Sequence, residues 1–392
     1  MTQFQQATAA ARDDVNAYQD AILPQVSRTF ALTIPALPPM LRRAVANAYL
    51  LCRIADTIED DPALSAESKR YYENAFIDAV AGCIDPHRFA AELAPLLSTE
   101  TPEAERDLVH RLPLVLQVTN ALTLVQRTAI VNCLNVMSHG MYEFQSRASL
   151  CGLDTLRDLD RYCYCVAGVV GEMLTELFID FEPALAEHRS AMMRLAVQFG
   201  QGLQMTNILK DQWEDRSRGV CWLPQDVFAK HGVRLIELQP GQQNEHYGEA
   251  LNELIGVAHA HVRHALEYTL LIPARHSGMR RFCMWSIGLA VLTLRNLHEN
   301  PGFSSGAQVK VSHTAVAVMV RLAKLASKSN VGLRLMFTMT AHKLPFTPLG
   351  EDWSEPQNFR PAWPQNVTPY STEHSTEPIG CEPVDLGDAQ QR

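Results

Sequence analysis

The chain has 392 residues, 47% of them hydrophobic, which is enough for one large domain or two to three smaller ones. Its formal net charge of −9 offers no basic surplus to neutralise phosphates, which argues against a nucleic-acid partner. The longest strongly apolar stretch, residues 283–294, holds 12 residues, whereas a membrane-spanning helix needs about 20. The first residues lack the features of a signal peptide, and the nine cysteines lack CxxC spacing. These features predict a cytoplasmic protein with reduced thiols and no transmembrane segment.

Helical patterns dominate the chain. The first covers residues 3–20 and is expected to end before Pro24, because proline cannot continue a helix. The second covers residues 40–59 and is closed by Asp60-Asp61-Pro62. Alternating runs typical of strands are nearly absent, so the predicted fold is all-α. Further helices are predicted near 65–82, 102–112, 119–146, 155–178, 183–215, 247–271, 279–297 and 313–329.

The composition changes near the C-terminus. Residues 345–392 contain 8 of the 22 prolines, together with many Ser, Thr, Glu and Asn. Such a segment buries too little apolar surface to offset the entropy of ordering it. We therefore predict one helical domain over residues 1–345 and a Pro-rich, disordered tail over residues 346–392.

Two segments share the pattern Asp-x-x-Glu-Asp. They define a first acidic cluster (Asp56, Glu59, Asp60) and a second acidic cluster (Asp211, Glu214, Asp215). Residues four apart lie on one helical face, where like charges destabilise the helix by a few tenths of a kcal/mol. Divalent cations bound by oxygen ligands offset that cost, and Mg²⁺ is commonly held by one or two carboxylates plus substrate phosphates.

Polar residues extend each cluster along its helix at spacings of three or four. These stripes are Tyr49, Arg53, Asp56 and Asp60, and Gln204, Asn207, Asp211 and Asp215. A helix that simply packed in a core would carry apolar residues there. One acidic pair alone usually marks a solvated face. Two copies within apolar helices favour a metal–phosphate site instead.

A third segment, residues 161–171, is unusual for a helix. Gly168 and Gly171 each cost about 1 kcal/mol relative to Ala in a helix interior, which predicts close approach of a neighbouring backbone or a ligand. From the residues alone, Tyr162 is best interpreted as a packed core aromatic. Cys163 and Cys165 are interpreted as packing residues, since no partner supports a metal role.

Four blocks in this order resemble the squalene and phytoene synthases, the head-to-head prenyl transferases of the isoprenoid synthase fold. The blocks are Ser27-Arg28-Thr29-Phe30, YLLCRIADTIEDD at 49–61, YCYCVAGVVG at 162–171, and LQMTNILKDQWEDRSRGVCWLPQDVF at 203–228. The resemblance covers about residues 20–330, and the first acidic block is closer to squalene than to phytoene synthases. It implies a single helical domain around a central cavity. Eukaryotic squalene synthases end in a membrane helix that is missing here, which predicts a soluble, bacterial-type member.

The resemblance also implies roles for individual residues. Both acidic clusters, namely Asp56, Glu59, Asp60, Asp211, Glu214 and Asp215, would hold Mg²⁺ across the cavity mouth. Diphosphate oxygens would be bound by Arg28 and Arg53, with Tyr49, Gln204 and Asn207 lining the polar end. Tyr162 matches the tyrosine assigned to proton transfer, which replaces the packing interpretation.

Two positions depart from the family pattern. Lys210 stands where squalene synthases commonly carry Arg, so a point charge replaces a bidentate fork in diphosphate binding. Val220 stands where many relatives carry Arg in the following loop, and Arg216 and Arg218 are candidates to supply that charge.

The activity implied is Mg²⁺-dependent condensation of two farnesyl diphosphates through presqualene diphosphate, followed by NADPH-dependent reduction to squalene. Alternatives are an NADPH-independent phytoene, dehydrosqualene or presqualene diphosphate synthase, and a non-catalytic scaffold on the same fold. No glycine-rich dinucleotide motif follows a strand, so NADPH rests on the resemblance and its binding residues stay unassigned. A cytoplasmic enzyme of this kind is compatible with peripheral membrane contact for product release. Oligomeric state and substrate chain length are not predicted.

Overall fold

Helices account for almost all the regular structure of the chain. The computed structural model describes residues 3–27, 29–241 and 244–350, with side chains from residue 15 onward. Over these ranges there is no strand, and one isolated bridge joins Leu153 to Pro224. The all-α prediction is therefore confirmed. Arg28, Gln242 and Gln243 lie outside the described residues, as does most of the predicted tail (351–392).

The α-helices are taken here in chain order. They are α1 Gln3–Val26, α2 Phe30–Thr33, α3 Pro39–Asp60, α4 Ala66–Ala81, α5 Pro86–Leu93, α6 Glu103–His110, α7 Leu112–Asn120, α8 Leu124–Gln145, α9 Leu156–Cys163, α10 Val169–Phe181, α11 Arg189–Ser217, α12 Gln225–Lys230, α13 Glu245–Leu271, α14 Ser277–Glu299, α15 His313–Ala326 and α16 Asn330–Thr340. A π-helical turn, Tyr164–Gly168, links α9 to α10.

The chain divides into two compact units. Among the described residues, unit 1 comprises residues 3–26 and 47–138, and unit 2 comprises 27, 29–46, 139–241 and 244–350. Each unit is described separately below. The prediction of one domain over residues 1–345 stays a prediction.

Unit 1 is held together around a buried amide. The Asn47 side chain on α3 donates to the Gln19 Oε1 atom at 3.3 Å and to the Val115 carbonyl at 2.9 Å, and it accepts from the Thr119 hydroxyl at 2.8 Å. A buried polar side chain is tolerated when its hydrogen bonds are made, and this one links α1, α3 and α7. The network fixes the position of α3, which carries the first acidic cluster.

The end of α3 is stabilised by Asp61. This buried carboxylate accepts from the backbone N–H groups of Ala63 and Ser98, both at 2.9 Å, and from the Thr101 hydroxyl at 2.6 Å. Helix α3 ends at Asp60, as the Asp60-Asp61-Pro62 sequence predicted. Asp61 therefore ties the loop around Ser98 to the helix end, whereas Asp60 is exposed to solvent.

Unit 2 is built around α11, which packs against α9, α10, α13 and α14. Small residues allow the closest contacts. A Cβ atom on Gly171 would lie 2.2 Å from the Ala196 carbonyl oxygen, and one on Gly200 would lie 2.1 Å from the Ala167 oxygen. The expected close approach at Gly171 is therefore to a neighbouring backbone, that of α11.

By length and composition alone, the helical run Leu156–Phe181 could cross a bilayer, whereas the sequence predicted no such segment and gave residues 283–294 as the longest apolar stretch. It is the single such run in the described residues, and 56% of its most apolar window is buried inside the protein. Packing of α9, the π-helical turn and α10 on α11 accounts for this apolar character.

Several boundaries differ from the predicted ones. Helix α1 continues through Pro24 to Val26, and the Gln25 side-chain amide donates to the Ala21 carbonyl at 3.1 Å near the proline. Proline sits in the last turn, where it disrupts few hydrogen bonds. The helices α2, α5, α7, α12 and α16 were not predicted. Seven cysteines within the described ranges are free thiols, and six of them are buried.

We predict that Asp61→Ala destabilises unit 1 by about 2–4 kcal/mol, because two N–H groups and a hydroxyl lose a buried charged acceptor. The matched control Asp60→Ala removes an exposed carboxylate and is expected to cost less than about 1 kcal/mol. Urea denaturation followed by circular dichroism measures both. Equal stability of the two variants would contradict the structural role of Asp61.

Candidate functional site

The first acidic cluster lies on the polar face of α3 in unit 1. Ile54, Ala55 and Ile58 on the opposite face are almost completely buried. This burial directs Arg53 and Asp56 away from the core, and both keep about a third of their side-chain surface exposed. The amphipathic pattern therefore positions the polar stripe that the sequence predicted.

Arg53 is held in place at the centre of this stripe. Its guanidinium donates to the Tyr49 hydroxyl at 3.2 Å and lies 3.7 Å from the Asp56 carboxylate. Tyr49 in turn donates to the Val26 carbonyl at 3.0 Å. The three residues form a chain of contacts that fixes the guanidinium in one orientation before any ligand is bound.

Asp56 occupies an unfavourable environment for a carboxylate. Burial raises its pKa to about 6, with Arg53 opposing the rise and the carboxylates of Asp60 and Glu105 adding to it. Glu105, on α6, also accepts from Thr57 at 3.3 Å. A bound cation would relieve this accumulation of negative charge. Glu105 was not predicted, since nothing in the sequence links α6 to this cluster.

The second acidic cluster lies on α11 in unit 2 and has the same two-faced construction. Gln212 and Trp213 point inward: Gln212 accepts from the Tyr247 hydroxyl at 2.9 Å, and the Trp213 ring packs on Tyr247 and Phe303. Asp211, Glu214 and Asp215 are only partly buried. The inward residues of the Asp-x-x-Glu-Asp pattern thus anchor the helix and leave its carboxylates on the other side.

Two contacts neutralise the second cluster in part. The Lys210 Nζ atom lies 2.7 and 2.6 Å from the two Asp211 oxygens. The Gly306 N–H donates to the Glu214 Oε1 atom at 2.8 Å, and a Cβ on Gly306 would lie 3.0 Å from the Asp211 Oδ1 atom. Gly306 was missed, because its role depends on a contact 92 residues away in sequence.

The donor set suits a hard divalent cation. The Glu214 Oε2 atom is buried with no hydrogen-bond partner in the described part of the chain. Within that part, no three Asp, Glu, His or Cys side chains lie close enough to hold a metal by themselves. Carboxylate oxygens are the ligands that Mg²⁺ prefers, and Mg²⁺ commonly takes one or two carboxylates and completes its shell with water and substrate oxygens. Convergence of the two clusters stays a prediction, because each belongs to a different unit.

Tyr162 lies in an aromatic stack in unit 2. Its ring is 4.2 Å from that of Trp222 at an interplanar angle of 14°, and 5.3 Å from Phe144. The side chain is 8% exposed. Tyr164, two residues on, is fully buried and donates to Glu172 at 3.1 Å. Trp222 lies in the fourth resemblance block, but the stacking partner was not recognised.

The remaining predicted residues lie in different environments. Gln204 is half-buried and Asn207 exposed on the α11 stripe, so both are accessible beside the second cluster. Arg216 donates to the backbone carbonyls of Leu238 at 3.0 Å and Leu150 at 3.4 Å, so it anchors both loops, and its role as a source of charge stays a prediction. Arg218 is exposed. Arg28 lies outside the described residues.

Comparison with known proteins identifies the family to which this chain is similar. A family model described as squalene/phytoene synthase matches residues 23–315. Squalene synthase of Rattus norvegicus is 31% identical over 301 residues, covering 76% of this chain and 67% of the rat protein. Squalene synthase of Eremothecium gossypii is 30% identical over 286 residues, covering 71% of this chain and 61% of the fungal protein.

Solved structures agree in fold. A structure of TcSQS with the ligand BPH1237 superposes with a TM-score of 0.67 at 23% identity, covering 88% of this chain and 96% of that one. A dehydrosqualene synthase complex gives a TM-score of 0.58 at 21% identity, covering 81% and 97%. The expected isoprenoid synthase fold and family are both confirmed. The chain belongs to the squalene/phytoene synthase family.

Proposed function

We propose that this chain is a squalene synthase: it condenses two molecules of farnesyl diphosphate into presqualene diphosphate and reduces that product to squalene. It is an enzyme of the farnesyl-diphosphate farnesyltransferase type. The proposal is carried by the pair of Asp-x-x-Glu-Asp clusters on α3 and α11, each with inward anchors and outward carboxylates. The identity of about 30% to squalene synthases over some three quarters of this chain supports the choice of reaction.

The carboxylates of both clusters are proposed to hold Mg²⁺ together with diphosphate oxygens. The residues are Asp56, Glu59, Asp60, Asp211, Glu214 and Asp215. When bound, Mg²⁺ supplies Lewis-acid stabilisation of the negative charge that develops on a departing diphosphate. The raised pKa of Asp56 and the unpartnered oxygen of Glu214 support this assignment, since both favour a neighbouring cation.

Two basic side chains are proposed to bind diphosphate oxygens beside the carboxylates. Arg53 is oriented by Tyr49, so its guanidinium is positioned in advance for bidentate contact with a diphosphate group. Lys210 rests on Asp211 and would share its charge between that carboxylate and a phosphate oxygen. Gln204 and Asn207 extend the polar end of the site, and Arg28 is carried over from the resemblance alone.

Tyr162 is proposed to take or relay the proton lost when the cyclopropane ring of presqualene diphosphate closes. We propose that the aromatic cluster of Tyr162, Trp222 and Phe144 would favour positive charge beside its rings and exclude water from an allylic cation. An ordinary tyrosine is a weak base at neutral pH, so released diphosphate is proposed as the final proton acceptor. NADPH is carried from the resemblance, and no residue of this chain is assigned to it.

We predict that Asp56→Asn or Asp211→Asn lowers the rate of diphosphate release from farnesyl diphosphate by at least about 10³ while the protein stays folded, because the cation loses a charged ligand. Isothermal calorimetry with Mg²⁺ and pyrophosphate separates lost binding from lost chemistry. Asp154→Asn, an exposed carboxylate on the loop before α9, is the matched control. Wild-type rates in either cluster variant would contradict the metal assignment.

We predict that Tyr162→Phe slows presqualene diphosphate formation by about 10²–10⁴, the usual value of a positioned acid–base group, and leaves pyrophosphate affinity unchanged. Phe keeps the stack with Trp222. Tyr164→Phe is the control, because it removes a neighbouring tyrosine hydroxyl bonded to Glu172. If both variants turn over within a few-fold of wild type, Tyr162 is a packing residue.

We predict that purified protein incubated with farnesyl diphosphate and Mg²⁺ forms squalene with NADPH, and presqualene diphosphate or dehydrosqualene without it. Mass spectrometry of the extracted products distinguishes these cases. Dehydrosqualene alone in the presence of NADPH would favour the reductant-independent alternative. Phytoene from a longer diphosphate would favour a phytoene synthase, and the absence of any diphosphate release would favour a scaffold.

A further inference from the structure

The last two described helices of unit 2 expose an apolar surface. Helices α15 and α16 pack against each other and against α14, and a turn of three residues, 327–329, joins them. Their inner faces are buried through Met319, Ala323, Leu333, Met336 and Phe337. Large apolar side chains also lie on the outside at helical spacing. This apolar stripe consists of Val318, Leu322 and Leu325 on α15 and of Val331, Leu335 and Met339 on α16.

The exposure of the stripe is high for residues of this size. Val331 is 77% exposed, Leu325 70% and Met339 66%. Isolated exposed apolar residues are ordinary on protein surfaces, but six on two adjacent helices indicate an interaction surface. The burial of the inner faces means that the stripe does not result from poor packing of the two helices.

Basic residues outnumber acidic ones around the stripe, although Glu299 lies in the same cleft as Met339 and Glu267 contacts Arg334. Residues 300–350 contain six Lys or Arg and no Asp or Glu, in a chain whose net charge is −9. Arg321, Lys324 and Lys328 flank the stripe and make no salt bridge to any described carboxylate, whereas Arg334 pairs with Glu267 at 2.7 and 3.0 Å. Such a surface repels a second copy of itself and attracts an anionic partner.

The turn that connects α15 and α16 is anchored by a residue of α14. Buried Arg280 on α14 donates to the Asn330 Oδ1 atom at 2.7 Å, to the Ser327 carbonyl at 3.4 Å and to the Ile272 carbonyl at 2.6 Å. Leu325, Lys328 and Val331 therefore project from an anchored turn. A surface organised in advance loses little conformational entropy on binding.

We propose that the α15–α16 surface docks the protein on an anionic lipid bilayer, with the apolar stripe inserted at the headgroup boundary and Arg321, Lys324 and Lys328 against lipid phosphates. Basic residues beside an exposed apolar helix face are the features of helices that lie in a membrane interface. The side chains of Lys and Arg reach outward to the headgroups while the apolar residues enter the acyl region. The inference does not rest on the proposed function, although a hydrocarbon product would leave most readily beside a bilayer.

Co-sedimentation of the full chain with vesicles tests this surface without any catalysis. We expect binding to phosphatidylcholine vesicles containing phosphatidylserine, and at least about tenfold weaker binding to phosphatidylcholine alone or at high salt. The double variant Leu325→Glu with Val331→Glu should weaken binding to the anionic vesicles by at least about tenfold. Lys324→Gln with Lys328→Gln should reduce the preference for anionic lipid.

The matched control is Leu124→Glu with Val125→Glu, which changes exposed apolar residues of the same types on unit 1 and should leave binding unaltered. Thermal unfolding of each variant checks that it is folded. Failure of the wild type to bind anionic vesicles, or equal binding of the stripe and control variants, would overturn the proposal. So would a stripe variant that changes only the sedimentation coefficient, because the stripe would then pair two copies of the chain.

Discussion

The repulsion among carboxylates that share one helix face is the constraint on which the site depends. Asp56 and Asp60 lie four residues apart on α3, as do Asp211 and Asp215 on α11, and such pairs weaken an isolated helix. Both helices tolerate them because their opposite faces are firmly buried, by Ile54 and Ile58 in one case and by Trp213 in the other. Packing therefore stabilises an arrangement that is electrostatically unfavourable by itself, and the proposed cation would relieve this repulsion.

Different contacts offset the repulsion between carboxylates in the two acidic clusters. In unit 1, Arg53 is the nearby cation, and Asp56 still has a pKa raised to about 6 by burial and by its acidic neighbours. In unit 2, Lys210 lies directly on Asp211, and the Gly306 N–H occupies one oxygen of Glu214. Both clusters thus combine a basic side chain with carboxylates. In the proposed reaction, such a pair of charges would exchange partners on binding of a metal and a diphosphate.

Close backbone contact determines where the second cluster lies in unit 2. Gly171 and Gly200 allow α10 and the π-helical turn to pack so closely against α11 that a side chain at either position would clash with the facing backbone. The same turn follows α9, which carries Tyr162, so the tyrosine and the acidic helix α11 belong to one packed group of helices. π-Helical turns are commonly found at functional sites, because they redirect side chains without ending the helix.

Local patterns in the sequence were enough to predict the helical class, both acidic stripes and the importance of the glycines, because these depend on residues three to four positions apart. Contacts between distant segments were not predictable from them. Glu105 beside Asp56, Gly306 on Glu214 and Trp222 on Tyr162 each join residues 48 or more positions apart. The role of Asp61 was not predictable from its position in the sequence either. It follows Asp60 directly, yet its carboxylate binds the loop at Ser98 and Thr101. The sequence by itself determined which helix faces are polar. The tertiary structure alone decided which neighbour each polar group meets, because burial and hydrogen bonding depend on segments that only folding brings together.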